Sequence, residues 1–168
     1  MIGGPIIRHL DDVHEQEVVR IEYEDGRSAS IRERFMTMLP NFVSFYNKWD
    51  PGMMSLKHGH KGDHVVFVLS GEVTIGDQVC KKGSHIFLFY GDRFGPWIAG
   101  PEGCELLGII AGEGAAFWSD QDMEDYRALL ASRGAKEGAV PRLQNVAPWK
   151  IKRDSLPGPV YDPETKKG

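Results

Sequence analysis

Several features that define other classes of protein are scarce in this chain of 168 residues. Only two cysteines occur, Cys80 and Cys104, and neither belongs to a closely spaced pair. The pattern therefore favours buried free thiols in a reducing compartment over a disulfide framework or a cysteine-based zinc site.

Clustered positive charge and long apolar runs are also missing. The net charge is −4 and the basic residues are scattered, which excludes a nucleic-acid or membrane-binding surface as the main function. No window approaches a membrane-spanning length, and the start, MIGGPIIRHLDD, is too short and too acidic for a secretory signal. We therefore expect a cytoplasmic protein. No phosphate-binding loop and no convincing Ser/His/Asp arrangement appears.

Short strand-like segments make up most of the chain, and 41% of its residues are hydrophobic, enough for a core. Turn signals recur every eight to twelve residues, a spacing typical of an all-β sandwich or barrel. The predicted strands are 17–26, 41–52, 64–71, 85–92 and 104–114, with a hairpin over 72–83 that turns at Gly76-Asp77.

One helix is predicted at about 120–133. Ser119 precedes it, and Asp122 stands three residues on, in an approximate capping box. Gly134 is placed to end it in a left-handed conformation. The remaining chain contains Pro141, Pro148, Pro157, Pro159 and Pro163 and predicts an extended arm, partly docked through Trp149 and Ile151.

Three of the six histidines lie within seven positions, at His58, His60 and His64. Alternation along a strand places His58 and His60 on one face. Residues 61–63, Lys-Gly-Asp, are interpreted as a tight turn, after which the chain reverses and brings His64 opposite the pair. Neutral imidazoles bind Zn, Fe, Ni, Cu or Co, and three of them leave positions open for water or substrate. A polar strand end is the alternative interpretation of these residues.

This segment resembles the first conserved motif of the cupin superfamily. Gly52 is followed by five residues, His58-Gly59-His60, three residues, His64, six residues and Gly71, with His64 in place of the usual glutamate. The second motif is degenerate. Gly83 and Gly91 fit it, whereas Phe89 stands for the proline, Phe94 for the histidine and Ile98 for the asparagine. The resemblance covers about residues 40–112.

The resemblance implies a double-stranded β-helix, the jelly-roll barrel of cupins, with a short C-terminal helix and an extended tail. Three parts are expected: N-terminal strands and an arm over 1–39, the barrel over 40–114, and the helix with its Pro-rich arm over 115–168. Small cupins usually pair, so we expect a homodimer.

The resemblance also implies a metal site held by His58, His60 and His64. Three imidazoles leave a divalent ion its formal +2 charge, which favours an anionic or enolisable substrate. Within the cupins, a three-histidine site resembles those of the iron-dependent β-diketone-cleaving and thiol dioxygenases, so Fe(II) is the expected metal, with Ni, Zn or Mn as alternatives. Residues expected to shape the substrate pocket are Phe94, Trp97, Phe89, Tyr46, Met54 and Arg93.

The leading functional hypothesis is a mononuclear metal enzyme acting on a small organic molecule, with oxidative cleavage ahead of isomerase or lyase chemistry. A non-catalytic ligand-binding or sensory cupin is the rival. A structural cupin without a ligand is a third interpretation. Substrate identity depends on loops and pocket shape, which the sequence alone does not give.

Overall fold

The computed structural model describes residues 7–141, which form an antiparallel jelly-roll barrel of ten strands with one α-helix. This confirms the all-β class predicted from the sequence. The Pro-rich arm from residue 142 onward lies outside the described residues. Within residues 7–141, no helix is long and apolar enough to cross a membrane.

The elements follow one another without long gaps. A 3-10 turn at Leu10–Asp12 precedes β1. The strands are β1 Gln16–Tyr23, β2 Ser28–Leu39, β3 Phe42–Trp49, β4 Met54–Ser55, β5 His58–Ile75, β6 Gln78–Lys81, β7 His85–Leu88, β8 Arg93–Phe94, β9 Trp97–Phe117 and β10 Ala135–Glu137, and helix α1 spans Asp120–Ser132.

Two long strands, β5 and β9, organise the barrel. The hydrogen-bonded order is β10-β1-β2-β3-β9-β5-β6, while β4 pairs with β9 and both β7 and β8 pair with β5. Strand β9 pairs with β3 through Cys104–Ile110 and, further back, with β4 through Trp97 and Ile98. One continuous strand therefore contributes to two parts of the barrel wall.

The core is divided into two apolar clusters. The larger contains Trp49, Met53, Val68 and Trp97, and the smaller contains Phe35, Val43, Phe45 and Ile110. Between Ile31 and Phe35 on β2 lies Glu33, and between Phe45 and Trp49 on β3 lies Asn47. Gln16 of β1 is paired with Glu33, which is paired with Asn47, so a polar row separates the two clusters.

Helix α1 begins and ends as the sequence predicts. The Ser119 hydroxyl accepts from the Asp122 amide, and the Asp122 carboxylate accepts from the Ser119 amide, which completes a capping box. Gly134 follows the helix with φ 62°, a conformation that glycine adopts without a steric penalty. Tyr126 and Leu130 are buried against the barrel, and the Tyr126 hydroxyl donates to the Met54 carbonyl at 3.1 Å.

The cysteines are free thiols, as expected. Cys104 is buried and Cys80 is half-buried. Burial raises the pKa of the Cys104 thiol to about 12, so it stays protonated and unreactive at neutral pH.

Candidate metal site

The three clustered histidines lie on one strand. Strand β5 runs from His58 to Ile75 without interruption, so the turn and chain reversal predicted at 61–63 are wrong. His58, His60 and His64 share one face nonetheless, because they occupy alternate positions and even spacing preserves the face of a strand.

Close packing of the backbone explains why position 62, where the sequence suggested a turn, is a glycine. A side-chain carbon added at Gly62 would lie 2.6 Å from the Gly112 Cα atom, a distance that real structures do not show. Gly62 therefore allows β5 and β9 to approach closely. Asp63, expected to serve the turn, instead accepts from the Tyr90 amide at 2.9 Å.

Neighbouring strands enclose the histidines. Phe94 of β8 lies opposite His58, and Leu88 of β7 lies opposite His64. Together they enclose a cavity of about 10 Å³, which has room for about one water molecule or one ion. Its lining residues are His58, Gly59, His60, Gly62, His64, Leu88, Phe89, Asp92, Phe94 and Trp97.

Backbone carbonyls orient the first two rings. The Nδ1 atom of His58 lies 2.9 Å from the Leu56 carbonyl oxygen, and that of His60 lies 3.0 Å from the Gly114 carbonyl oxygen. A carbonyl can only accept, so each Nδ1 carries the proton and donates it. Each Nε2 then keeps a free lone pair, which is the tautomer that metal-binding histidines adopt.

His64 has no such partner. It is 6% exposed, and neither of its ring nitrogens has a hydrogen-bond partner among the described residues. A buried polar group without a partner costs about 1–3 kcal/mol. A metal ion would remove part of this cost, because it would bind the lone pair of one nitrogen and leave only the N–H of the other without a partner.

All three imidazoles are neutral at physiological pH. Burial lowers the pKa of His58, lowers that of His60 to about 4 and lowers that of His64 to about 3. The neighbouring histidines add to the effect at His60 and His64, because two charged rings would repel. Neutral imidazole is the form that binds a metal.

Ring spacing also fits one shared ion. The ring centres of His58 and His60 are 5.2 Å apart, and those of His60 and His64 are 5.0 Å apart. An ion about 2 Å from each nitrogen holds two ring centres roughly 5 Å apart. Within residues 7–141, however, no three His, Cys, Asp or Glu side chains are arranged so that they could hold a metal ion. The donor set fits a transition metal through its chemistry, which is three neutral imidazoles on one strand face, and the described side-chain positions do not bring the three together as ligands.

Half of the predicted pocket residues lie at this site. Phe89, Phe94 and Trp97 line the cavity, and the Trp97 ring lies 6.4 Å from the His58 ring. The Trp97 indole donates to the Phe94 backbone carbonyl at 3.2 Å, which orients the Trp97 side chain.

Tyr46, Met54 and Arg93 are not among the lining residues. Met54 is 1% exposed and belongs to the larger apolar cluster. Tyr46 follows the buried Phe45 on β3 and therefore faces away from the interior. Burial, together with a hydrogen bond to Glu105, raises its pKa to about 12. Arg93 forms an ion pair with Asp122 of α1.

Sequence reasoning missed three residues beside the histidines. Leu88 and Asp92 line the cavity, and the Phe45 ring lies 5.9 Å from the His64 ring. The alternation of β3 marked Phe45 as inward-facing. Only the pairing register of β3, β9 and β5 shows that it reaches His64, and a single sequence does not contain that register.

Comparisons with known proteins find similarity at the level of structure. No protein-family model matches the chain. No curated protein matches it either.

Many solved structures are similar to it, among them the following three. The polyketide cyclase RemF from Streptomyces resistomycificus superposes with a TM-score of 0.55 at 20% identity, covering 72% of this chain and 92% of that one. An RmlC-like cupin from Shewanella frigidimarina gives a TM-score of 0.50 at 17% identity, with 68% and 96% covered. Fe(II)-HppE, crystallised with an alternative substrate, gives a TM-score of 0.51 at 18% identity, with 64% and 60% covered.

Proposed function

The chain has the fold of the cupin superfamily, and from that premise we propose that it is a mononuclear metal enzyme. His58, His60 and His64 hold one divalent transition metal. The observation that supports this most is the pair of unpartnered nitrogens on the buried His64 ring, on the same strand face as two rings whose Nε2 atoms are free.

The proposed metal is Fe(II), with nickel, zinc or manganese as alternatives. Three neutral ligands leave a divalent ion its full charge, so the bound ion supplies Lewis acidity and favours an oxygen donor on the substrate. The chain's own residues supply the setting. Leu88, Phe94 and Trp97 exclude water from one side of the rings, and the Leu56 and Gly114 carbonyls fix ring orientation.

The proposed reaction is oxidative cleavage of a small enolisable or anionic substrate by a dioxygenase. Fe(II)-HppE shows that a similar fold can hold iron. Isomerase, lyase or cyclase chemistry is the alternative within the same site. The polyketide cyclase among the similar structures supports this alternative. Oxygen consumption with a panel of β-dicarbonyls, catechols and thiols separates the two. If the iron-loaded protein turns a substrate over without consuming oxygen, the dioxygenase proposal is wrong.

A non-catalytic metal-binding or sensory cupin is the second candidate. The cavity has room for an ion or one water molecule but none for an organic substrate beside it. An enzyme of this structure needs its substrate to lie at the mouth of the cavity, whereas a sensor would need only the ion.

A cytoplasmic location stays a prediction.

Metal analysis of protein purified without chelators tests the central proposal. We expect close to one equivalent per chain in the parent protein and at least about a tenfold loss in His64→Ala, because one of three ligands is removed. His85→Ala is the matched control, since His85 is an exposed histidine on β7 outside the cavity. The circular dichroism spectra of all three proteins establish that they are folded.

Two outcomes overturn the proposal. Less than about a tenth of an equivalent in the parent, after loading with Fe(II), Ni, Zn or Mn in turn, shows that the rings do not hold a metal. Full occupancy in folded His64→Ala shows that the metal lies elsewhere.

A further inference from the structure

The polar row between the two apolar clusters is a second unusual feature of the interior. Gln16, Glu33 and Asn47 occupy paired positions on β1, β2 and β3, so their side chains share the inward face of the sheet. Gln16 is 7% exposed and Asn47 is 6% exposed. None of the three lines the histidine cavity, so the row is separate from the candidate metal site.

Three side-chain atoms of this row have no hydrogen-bond partner within the described part of the chain. They are the oxygen and the nitrogen of the Gln16 amide and the oxygen of the Asn47 amide. The Asn47 nitrogen is paired, because it donates to Glu33 Oε1 at 2.9 Å. Leaving a buried donor or acceptor unpaired is costly, so such atoms almost always have a partner in a folded protein. Three of them in one row indicate that a small polar molecule joins them.

The flanking side chains offer these atoms almost nothing polar. The inward neighbours of the row are apolar or aromatic: Ile31, Phe35, Phe45, Trp49 and Leu106. Among them only Trp49 has a polar side-chain atom, and its indole nitrogen is itself without a partner among residues 7–141. The partner of the two amides therefore has to come from outside the protein chain.

The unpartnered atoms include both a donor and acceptors. The Gln16 nitrogen donates, whereas the Gln16 and Asn47 oxygens accept. A metal cation would satisfy the oxygens but not the nitrogen, and an anion would satisfy the nitrogen but not the oxygens. Water both donates and accepts, and buried water molecules typically make about three hydrogen bonds to such groups.

We propose that a buried water molecule bridges the side-chain amides of Gln16 and Asn47 beside Glu33. The water accepts from the Gln16 nitrogen and donates to the Asn47 oxygen, so it links β1 to β3 across β2. Burial raises the pKa of Glu33 to about 7, so below that pH its carboxylic hydroxyl is available to donate to the Gln16 oxygen. The bridge does not depend on the proposed metal.

Oxygen-17 relaxation dispersion of the solvent tests the bridge, because it counts the water molecules that tumble with the protein. Gln16→Met keeps the length of the side chain and removes both of its polar atoms. We expect one such water molecule fewer in Gln16→Met than in the full-length parent protein. Gln78→Met is the matched control, since Gln78 is exposed on β6, and we expect it to leave the number unchanged.

Urea unfolding of the same proteins gives a second measurement whose sign is decisive. Loss of a bridging water removes hydrogen bonds, so we expect the equilibrium constant for unfolding to rise about fivefold or more in Gln16→Met. An amide that is truly unpaired predicts the opposite sign, because an apolar side chain is then the better occupant of the interior. Gln78→Met should change the constant less than about twofold.

Several outcomes overturn the bridge. They are a parent protein that holds no long-lived water, a Gln16→Met variant that is more stable than the parent, and a less stable variant with the same number of waters, which would mean that Gln16 bonds Glu33 directly. Asn47→Leu, which removes the other amide, has the same expected loss of one water and decides the matter if Gln16→Met does not fold. Metal analysis of the parent leaves all of these results unaffected, so the failure of one proposal is distinguishable from the failure of the other.

Discussion

Glu33 carries a carboxyl group whose pKa the barrel raises toward neutral pH. Its Oε1 accepts from the Asn47 amide at 2.9 Å, and no described ion pair joins it to a cation within residues 7–141. The residue is partly exposed over its length, but its carboxyl end is enclosed, and burial raises the pKa to about 7 from an ordinary value of 4.5. The Asn47 hydrogen bond opposes this shift without cancelling it.

The sign of the resulting pH dependence is set by the proton that the folded state retains. Between about pH 4.5 and 7, folded Glu33 is protonated while the unfolded chain has released the proton. The free energy of unfolding therefore falls as pH rises through this window and is lowest, for this group, above pH 7. A shift of this size corresponds to roughly 3 kcal/mol as an upper bound.

Glu33→Gln removes the charge and keeps an oxygen that can accept from Asn47. We expect the variant to be about 1–3 kcal/mol more stable than the parent near pH 8.5 and nearly equal to it near pH 4, below the unfolded value. Urea unfolding at the two pH values measures the difference. Glu102→Gln, at an exposed position, is the control and should show none. A difference that is the same at both pH values would mean that Glu33 is already ionised throughout.

At the same scale, the sequence predicted the residues of the candidate site better than their surroundings. Alternation placed His58 and His60 on one face, whereas His64 was expected opposite them after a chain reversal and instead lies on the same strand. The identity of the cavity wall was only half predicted, because Tyr46, Met54 and Arg93 were chosen by nearness in sequence or in motif. Whether a side chain reaches a site depends on strand register and on competing partners, such as Asp122 for Arg93.

Helix α1 is joined to the site through one carboxylate. Asp122 Oδ2 accepts from the Ser119 amide at 2.8 Å and from the Ser119 hydroxyl at 2.7 Å, and the same oxygen meets Arg93 of β8. Arg93 is paired with Gly59, and its neighbour Phe94 with His58. The start of the helix thus fixes the short strand that covers one side of the first histidine.

Asp122→Ala is expected to loosen that strand. The loss of a cap costs about 1 kcal/mol, and the broken ion pair leaves Arg93 without its carboxylate. We expect amide hydrogen exchange over residues 92–95 to accelerate at least about fivefold, the equivalent of about 1 kcal/mol. Asp125→Ala is the control, because Asp125 lies on the same helix and bonds only Gln121 at the surface among the described hydrogen bonds. Equal exchange in both variants would show that β8 is held by other contacts.

Elements with strong local signals were predicted well. The helix follows from its cap residues, and the hairpin turn at Gly76-Asp77 follows from turn chemistry, as β5 ends at Ile75 and β6 begins at Gln78. Strand β2 was missed because charged and polar residues occupy much of Ser28–Leu39.

The lengths of β5 and β9 were underestimated because glycines near their ends suggested turns. Several of these glycines serve close strand contacts instead, as Gly62 does against Gly112. Such contacts join residues far apart in the chain and leave no local signal. The proposed division of the chain at residues 39 and 114 stays a prediction.

One outer surface of the barrel is apolar and uncovered by the described residues. Val65 and Phe67 alternate with buried positions of β5, and they are paired with Ile109 and Leu107 of β9. Phe87 of β7 lies beside Val65 and is 46% exposed. None of these five side chains belongs to or packs against the two buried clusters.

We propose that a second copy of the chain covers this surface, in the homodimer expected from the sequence. An uncharged face is complementary to itself across a two-fold axis. The five apolar side chains place no like charges opposite one another across such an axis.

Light scattering coupled to size exclusion tests the dimer. We expect the parent to have twice the chain mass of 18.8 kDa and Phe67→Lys to have the monomer mass, because the lysine would be buried without a partner. Val79→Lys is the control, since Val79 is 56% exposed on β6 and lies outside the surface. A monomeric parent, or a dimer that persists in Phe67→Lys, would exclude a second copy from this face.

The three candidate ligands come from a single strand and lie within one segment of seven residues, 58–64. Such a site is sensitive to changes in chain length. Adding or deleting one residue between positions 60 and 64 would turn His64 outward and leave the other two rings in place. Substitutions outside residues 58–64, for example at Leu88, Phe94 or Trp97, would change the cavity walls and leave the spacing of the three candidate ligands unchanged.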